Sequence, residues 1–282
     1  MIVDAHHHLW RIEDGYRWLD EPDLAPIRRT FTPDDLRAAL TTAGVDRTVL
    51  VEGGRCDPAE APILLRHARD VEAIAGVVAW ADPAEPGLAD TLARYRELPG
   101  GGALVGIRSQ VQGEPDPDYL DRPEVRAGLR TIAAAGLAFD LVIRVDQLPA
   151  AVRAARAVPQ LRFVLDHLGK PQIRAGAAGY AAWVGPFGDL AALPNVTAKL
   201  SGLVTEADWR RWTVAELRPY VTTAVRLFGP DRLMFGSDWP VCLLAAEYAM
   251  VRDALVEALP PLSPTERADI FGGTAIRTYR LY

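Results

Sequence analysis

Apolar residues along this chain gather in short β-branched runs, and between the runs they recur at the three-to-four-residue spacing of an amphipathic helix. Eight runs read as strands: "IVDAHHHL" from Ile2, "RTVLVEGG" from Arg47, "IAGVVAWAD" from Ile74, "LVGIRSQ" from Leu104, "LAFDLVIR" from Leu137, "LRFVLDHLGKP" from Leu161, "NVTAKLSG" from Asn195 and "RLMFGSDWP" from Arg232. In "TPDDLRAALTTAG", Thr32 reads as a helix N-cap, Pro33 as the first helical residue and Gly44 as the closing one. Alternation of strand and helix implies parallel pairing through right-handed crossovers. Eight such units in 282 residues fit one closed (β/α)8 barrel over residues 1–282, the TIM-barrel form of the α/β class. An open sheet fits less well, because closure leaves no edge strand and no G-x-G-x-x-G loop follows the first strand. "QGEPDPDYLDRP" from Gln112 reads as a loop after strand four. The closing "SPTERADIFGGTAIRTYRLY" reads as a capping helix, a turn and a short helix packed on the barrel.

Composition narrows the partners. A hydrophobic content of 49%, a charged content of 24% and a net charge of -6 describe an ordinary globular chain. They argue against nucleic acid or an anionic membrane as partner and leave small molecules. No apolar run reaches the roughly 18 to 20 residues of a membrane span, and "MIVDAHHH" lacks the features of a signal peptide, so a cytoplasmic location is expected. Cys56 and Cys242 are expected to be free thiols. No pattern in the chain encodes an oligomeric state.

In barrels of this kind the active site is built at the C-terminal ends of the strands. Those ends are rich in polar residues: His6 and His8 on strand one, Arg108 and Gln110 on strand four, and Asp166, His167 and Lys170 on strand six. Strand seven carries Lys199 and Ser201, and strand eight Ser237, Asp238 and Trp239. On an extended strand Asp4, His6 and His8 share one face and Val3, Ala5 and His7 the other, so His7 reads as structural. His6 and His8 with His167 and Asp238 make an N/O ligand set for one divalent metal, zinc foremost, and Asp238 can accept the proton of a water attacking a carbonyl. His67, in "APILLRHARD", reads as a solvated helix residue, and Trp10 and Trp239 as packing or substrate contacts alike.

With "DAHHHLW", "GIRSQVQ", "FDLVIRVDQLP", "VLDHLGKP", "AKLSGLVTEADW" and "FGPDRLMFGSDWPV", the chain resembles the amidohydrolase superfamily along nearly its whole length. The resemblance is to its branch of sugar-lactone and pyrone-dicarboxylate lactonases. It implies hydrolysis of a cyclic ester, here a lactone like L-fucono- or L-rhamnono-lactone, to the hydroxy acid. His6 and His8 match the family's HxH pair, His167 its later histidine, and Asp238 its strand-eight aspartate and general base. Arg108, Lys170, Lys199 and Trp239 are the expected substrate-binding residues, Arg108 with Lys170 stabilising the developing oxyanion. Two-metal members use a carboxylated lysine on strand four, where this chain has "VGIRSQ", so the resemblance implies one metal or metal-free positioning of the water. The alternatives are a pyrone-dicarboxylate lactonase, which wants several arginines and for which Arg144 is a second candidate, a nonoxidative decarboxylase, and a barrel that binds a ligand without catalysis.

Overall fold

All eight expected strands form. The computed structural model describes residues 1–281, and in it the strands pair in parallel and in chain order: β1 (Val3–His7), β2 (Arg47–Val51), β3 (Ile74–Trp80), β4 (Leu104–Ser109), β5 (Ala138–Leu141), β6 (Arg162–Leu165), β7 (Val196–Leu200) and β8 (Leu233–Phe235). The crossover helices are α1 (Pro33–Ala43), α2 (Ala61–Asp70), α3 (Leu88–Glu97), α4 (Pro123–Ala134), α5 (Leu148–Ala157) and α6 (Gly176–Ala191). The short α7 (Leu203–Glu206) and the longer α8 (Val214–Phe228) follow β7, and α9 (Tyr248–Ala258) follows β8. The chain closes with α10 (Pro264–Ala268) and α11 (Thr274–Tyr279). No helix among the described residues is long and apolar enough to cross a membrane.

The local signals act as read. The Thr32 hydroxyl accepts the Asp35 N–H at 3.3 Å while the Asp35 carboxylate accepts the Thr32 N–H at 2.8 Å, and Gly44 ends α1 at φ 62°. Two apolar bodies result. Most core residues lie between sheet and helices, whereas Val3, Ala5, Val49, Val51, Val78, Ala138, Val164 and Met234 face the barrel interior. Tyr279 and Leu281 plug the N-terminal mouth, Tyr279 donating its hydroxyl to Asp140 at 2.7 Å.

Strict alternation of faces does not hold along β1. The pairing of β1 with β2 slips between Asp4 and His7, so Val3 and Ala5 point inward together with the later His6. Asp4 turns outward, where it accepts bonds from Ser237 and from Tyr248 of α9. The slip leaves His6 and His8 inward and His7 outward, as expected. Closure runs through the same residues: Asp238 N–H donates to the His6 carbonyl at 2.8 Å, and His8 N–H to the Trp239 carbonyl at 2.7 Å.

Candidate active site

His6, His8, His167 and Asp238 converge at the C-terminal mouth of the barrel. His8 lies one residue beyond β1, and the closure bonds bring Asp238 beside both strand-one histidines. Asp238 and His167 occupy left-handed backbone at φ 58° and 53°. Such conformations are costly for residues with a Cβ and persist where surrounding contacts dictate them. At His167 those contacts include Ser201, whose hydroxyl lies 2.9 Å from Nδ1. Gly202, at φ 63°, leaves room for the ring, since a Cβ there would fall 2.5 Å from His167 Nδ1.

The donor atoms fit a divalent ion. His8 Nδ1 lies 2.9 Å from the Val51 carbonyl, which only accepts, so Nδ1 carries the proton and Nε2 turns a lone pair to the cavity. His6 Nε2 faces the same space, while its Nδ1 lies 3.3 Å from Asp166 and 3.1 Å from the Lys199 ammonium. The two Nε2 atoms are 3.2 Å apart, and Asp238 Oδ1 lies 3.6 Å from one and 3.5 Å from the other. Ligands around a tetrahedral ion with bonds near 2.1 Å stand about 3.4 Å apart. Three acceptors at that spacing repel one another unless a cation or proton lies between them. His167 Nε2, at 3.9 Å from Asp238 Oδ1, completes the rim. Burial pulls His6 well below the ordinary imidazole range and His167 down to about 4, so both rings are neutral near pH 7. Burial raises Asp238, but the His167, His8 and His6 rings more than offset it and keep it ionised.

Beneath this rim lies a charged layer that accounts for two expected substrate-binding residues. Lys199 is 0% exposed and bonds Asp140 at 2.6 Å and Asp166 at 2.9 Å, with His6 Nδ1 at 3.1 Å. It does not line the cavity, so its ammonium acts on His6 and the carboxylates rather than on a ligand. Arg108 does line the cavity, but it is committed to the Glu52 carboxylate and carbonyl and, at 2.9 Å, to Asp166. A second donor triad, His6, Asp166 and His167, lies close enough to hold an ion, but Arg108 and Lys199 already neutralise Asp166.

Above the rim opens a cavity of about 500 Å³. Trp18, Leu24, Trp209 and Leu244 form its apolar wall, and Gln110, Gln112, Lys170 and Glu206 its polar one. Lys170, expected at the substrate, is there and pairs with Glu206 at 3.2 Å. Burial raises the Glu206 carboxyl and Lys170 opposes the rise. Trp239 is 4% exposed, packs edge-on against Phe31 and does not line the cavity. His7 is wholly buried on the far side of β1, and His67 is half-buried on α2.

Glu52, Glu60, Asp140 and Glu206 are the polar residues that sequence reasoning passes over. Glu52 directly follows β2 and was open to the same strand-end rule that finds Arg108. Glu206 ends α7, on a loop excursion that no periodicity marks. Glu60 is buried behind the cavity, where its Oε1 accepts from Gly53 N–H at 2.7 Å and Tyr16 at 2.9 Å. Burial, aided by the Glu52 charge, pushes its carboxyl from an ordinary 4.5 up to about 8. The folded chain therefore holds a proton that the unfolded chain releases between those values, and stability falls as pH rises across that window. Glu60→Gln is expected to remove up to roughly 1.4 kcal/mol per pH unit of that slope, read from denaturant melts between pH 5 and 8. An unchanged slope would mean that Glu60 is ionised when folded.

Comparison with known proteins agrees with this geometry. The family model described as "Amidohydrolase" matches residues 3–281. The chain is 38% identical to an L-fucono-1,5-lactonase of Burkholderia multivorans, over 99% of this chain and 96% of that protein. It is 36% identical to an L-fucono-1,5-lactonase of Burkholderia ambifaria, over 99% and 95%. The crystal structure of an amidohydrolase from Burkholderia multivorans with bound zinc superposes with a TM-score of 0.93 at 35% identity, covering 100% of both chains.

Proposed function

The chain belongs to the amidohydrolase family, and from that premise we propose that it hydrolyses a sugar lactone of the L-fucono-1,5-lactone kind to the aldonate. The observation that carries the reading is the ionised Asp238 set 3.5 to 3.9 Å from three imidazole nitrogens at the floor of a half-apolar cavity. His6, His8 and Asp238, with His167 beside them, would hold one divalent ion, zinc by its N/O donor set and by the zinc-bound relative. When bound, that ion polarises the lactone carbonyl and makes a nearby water more acidic.

The chain's own groups supply the rest. Asp238 accepts a proton as a water oxygen bonds to the carbonyl carbon. As the ring C–O bond breaks, Asp238 returns that proton to the departing ring oxygen. The acid product then ionises and releases one proton to solvent. Ser201 fixes the His167 ring, and Lys199 with Asp166, itself held by Arg108, fixes His6 from below. Lys170 and Gln110 face the space where lactone hydroxyls would lie, and the tryptophan wall suits the apolar face of a deoxy-sugar ring.

Product analysis by NMR tests the reaction class: aldonate formed from 6-deoxy-aldonolactones supports it, and carbon dioxide released from aromatic acids instead would make the protein a decarboxylase. The strand facing is tested separately. His8→Gln is expected to lower kcat/KM at least about tenfold more than His7→Gln, measured per folded molecule, because only His8 presents a nitrogen to the cavity. The reverse ranking would contradict the inward assignment.

A further inference from the structure

Two cavities meet at the Lys170–Glu206 pair. One is the 500 Å³ reaction cavity, and the other, of about 620 Å³, continues outward past Arg144 and Gln172. Among the described residues, the only lysine or arginine side chains lining the reaction cavity are Arg108 and Lys170. Arg108 is spent on Glu52 and Asp166. In the outer cavity Arg144 is tied to Asp146 at 3.1 Å and to the Gln112 and Glu114 carbonyls. Among the described residues Lys170 is thus the one cationic side chain lining the reaction cavity that could turn toward a ligand. Its backbone is fixed close to the reacting groups, at φ 53° and with its N–H on the His167 carbonyl at 2.9 Å.

We propose that Glu206 is the specificity-determining residue for substrate charge: by holding Lys170 at 3.2 Å it neutralises the last uncommitted cationic side chain lining this cavity, so that the cavity takes neutral polyhydroxylated lactones and refuses lactones that carry a carboxylate. The inference rests on reading this cavity as a lactone site. A carboxylate placed beside the Lys170–Glu206 pair, away from the histidine rim, would lose its water without gaining a free cationic side chain, and would meet Glu206 as a like charge. A hydroxyl suffers neither penalty, since it donates to Glu206 and accepts from Lys170 together. The pair therefore reads as a hydroxyl clamp with its charge balanced, and removing the glutamate charge turns it into a carboxylate receptor.

The test compares kcat/KM on a neutral aldonolactone with that on an aldarolactone, which differs by one terminal carboxylate. In Glu206→Gln the aldarolactone value is expected to rise at least about tenfold, chiefly through KM, while the neutral lactone value falls several-fold. Adding Lys170→Gln to that variant is expected to abolish the gain, because the freed ammonium is its source. Equal changes on both lactones, or a gain that survives Lys170→Gln, would overturn the proposal. Glu206→Ala repeats the test with a side chain too short to make a contact of its own. Calorimetry with an unreactive aldarate dianion gives a readout free of turnover: Glu206→Gln is expected to bind it at least about tenfold tighter than the wild type, and equal affinities would refute the charge argument. A wild type that hydrolyses no lactone would remove the lactone reading instead, and the calorimetric comparison would still decide the role of Glu206.

Discussion

Asp238→Asn is expected to lower kcat at least about a hundredfold while leaving fold and melting temperature nearly unchanged. The amide has the shape of the carboxylate but cannot accept a proton from water at neutral pH. It also removes the anion that faces His6, His8 and His167. The backbone should tolerate the change. Asp238 sits at φ 58°, and asparagine is among the non-glycine residues that enter this left-handed region most readily. The N–H bond to the His6 carbonyl that helps close the barrel belongs to the main chain and survives. Steady-state kinetics with a thermal melt check both halves, and turnover within a few-fold of the wild type would remove Asp238 from the mechanism.

Lys199→Met is expected to be the most destabilising single change in the charged layer, by about 3–5 kcal/mol. Methionine fills the space of the lysine stem but leaves Asp140 with Tyr279 alone and Asp166 with Arg108 and His6. Burial already raises the Asp140 carboxyl to about 6 despite the ammonium beside it, and without that ammonium the ionised form loses its main support. For a chain of this size the loss corresponds to a fall in melting temperature on the order of 10 °C. Adding Asp140→Asn should recover part of it, because the double variant no longer carries the carboxylate that Lys199 had balanced. A single variant that melts within about 2 °C of the wild type would show that the layer contributes little to stability.

Much of this architecture was legible in the chain because strand and helix periods differ and alternate eight times. The rim was legible for a related reason. His6, His8, His167 and Asp238 are polar residues at strand ends, where a barrel places its chemistry. Depth was not legible. Lys199 and Arg108 read as cations waiting for a substrate, and only the strand register reveals that Asp140, Asp166 and Glu52 stand at the same level and take them up. Asp4 lies on the opposite face from the one period two gives it, because that period holds only along an unbroken ladder and the slip in β1 breaks it. Glu206 reaches the cavity from a helix that one turn of backbone creates after β7, a placement that depends on tertiary packing and leaves no local pattern.

The most direct test of a metal-assisted lactonase is proton release by the purified protein on L-fucono-1,5-lactone and its aldonolactone relatives, followed with a pH indicator before and after stripping with a strong chelator. Hydrolysis well above spontaneous ring opening, lost on stripping and restored by added zinc, is the expected result. Release no faster than background on every lactone, with the protein folded and its metal supplied, would contradict it.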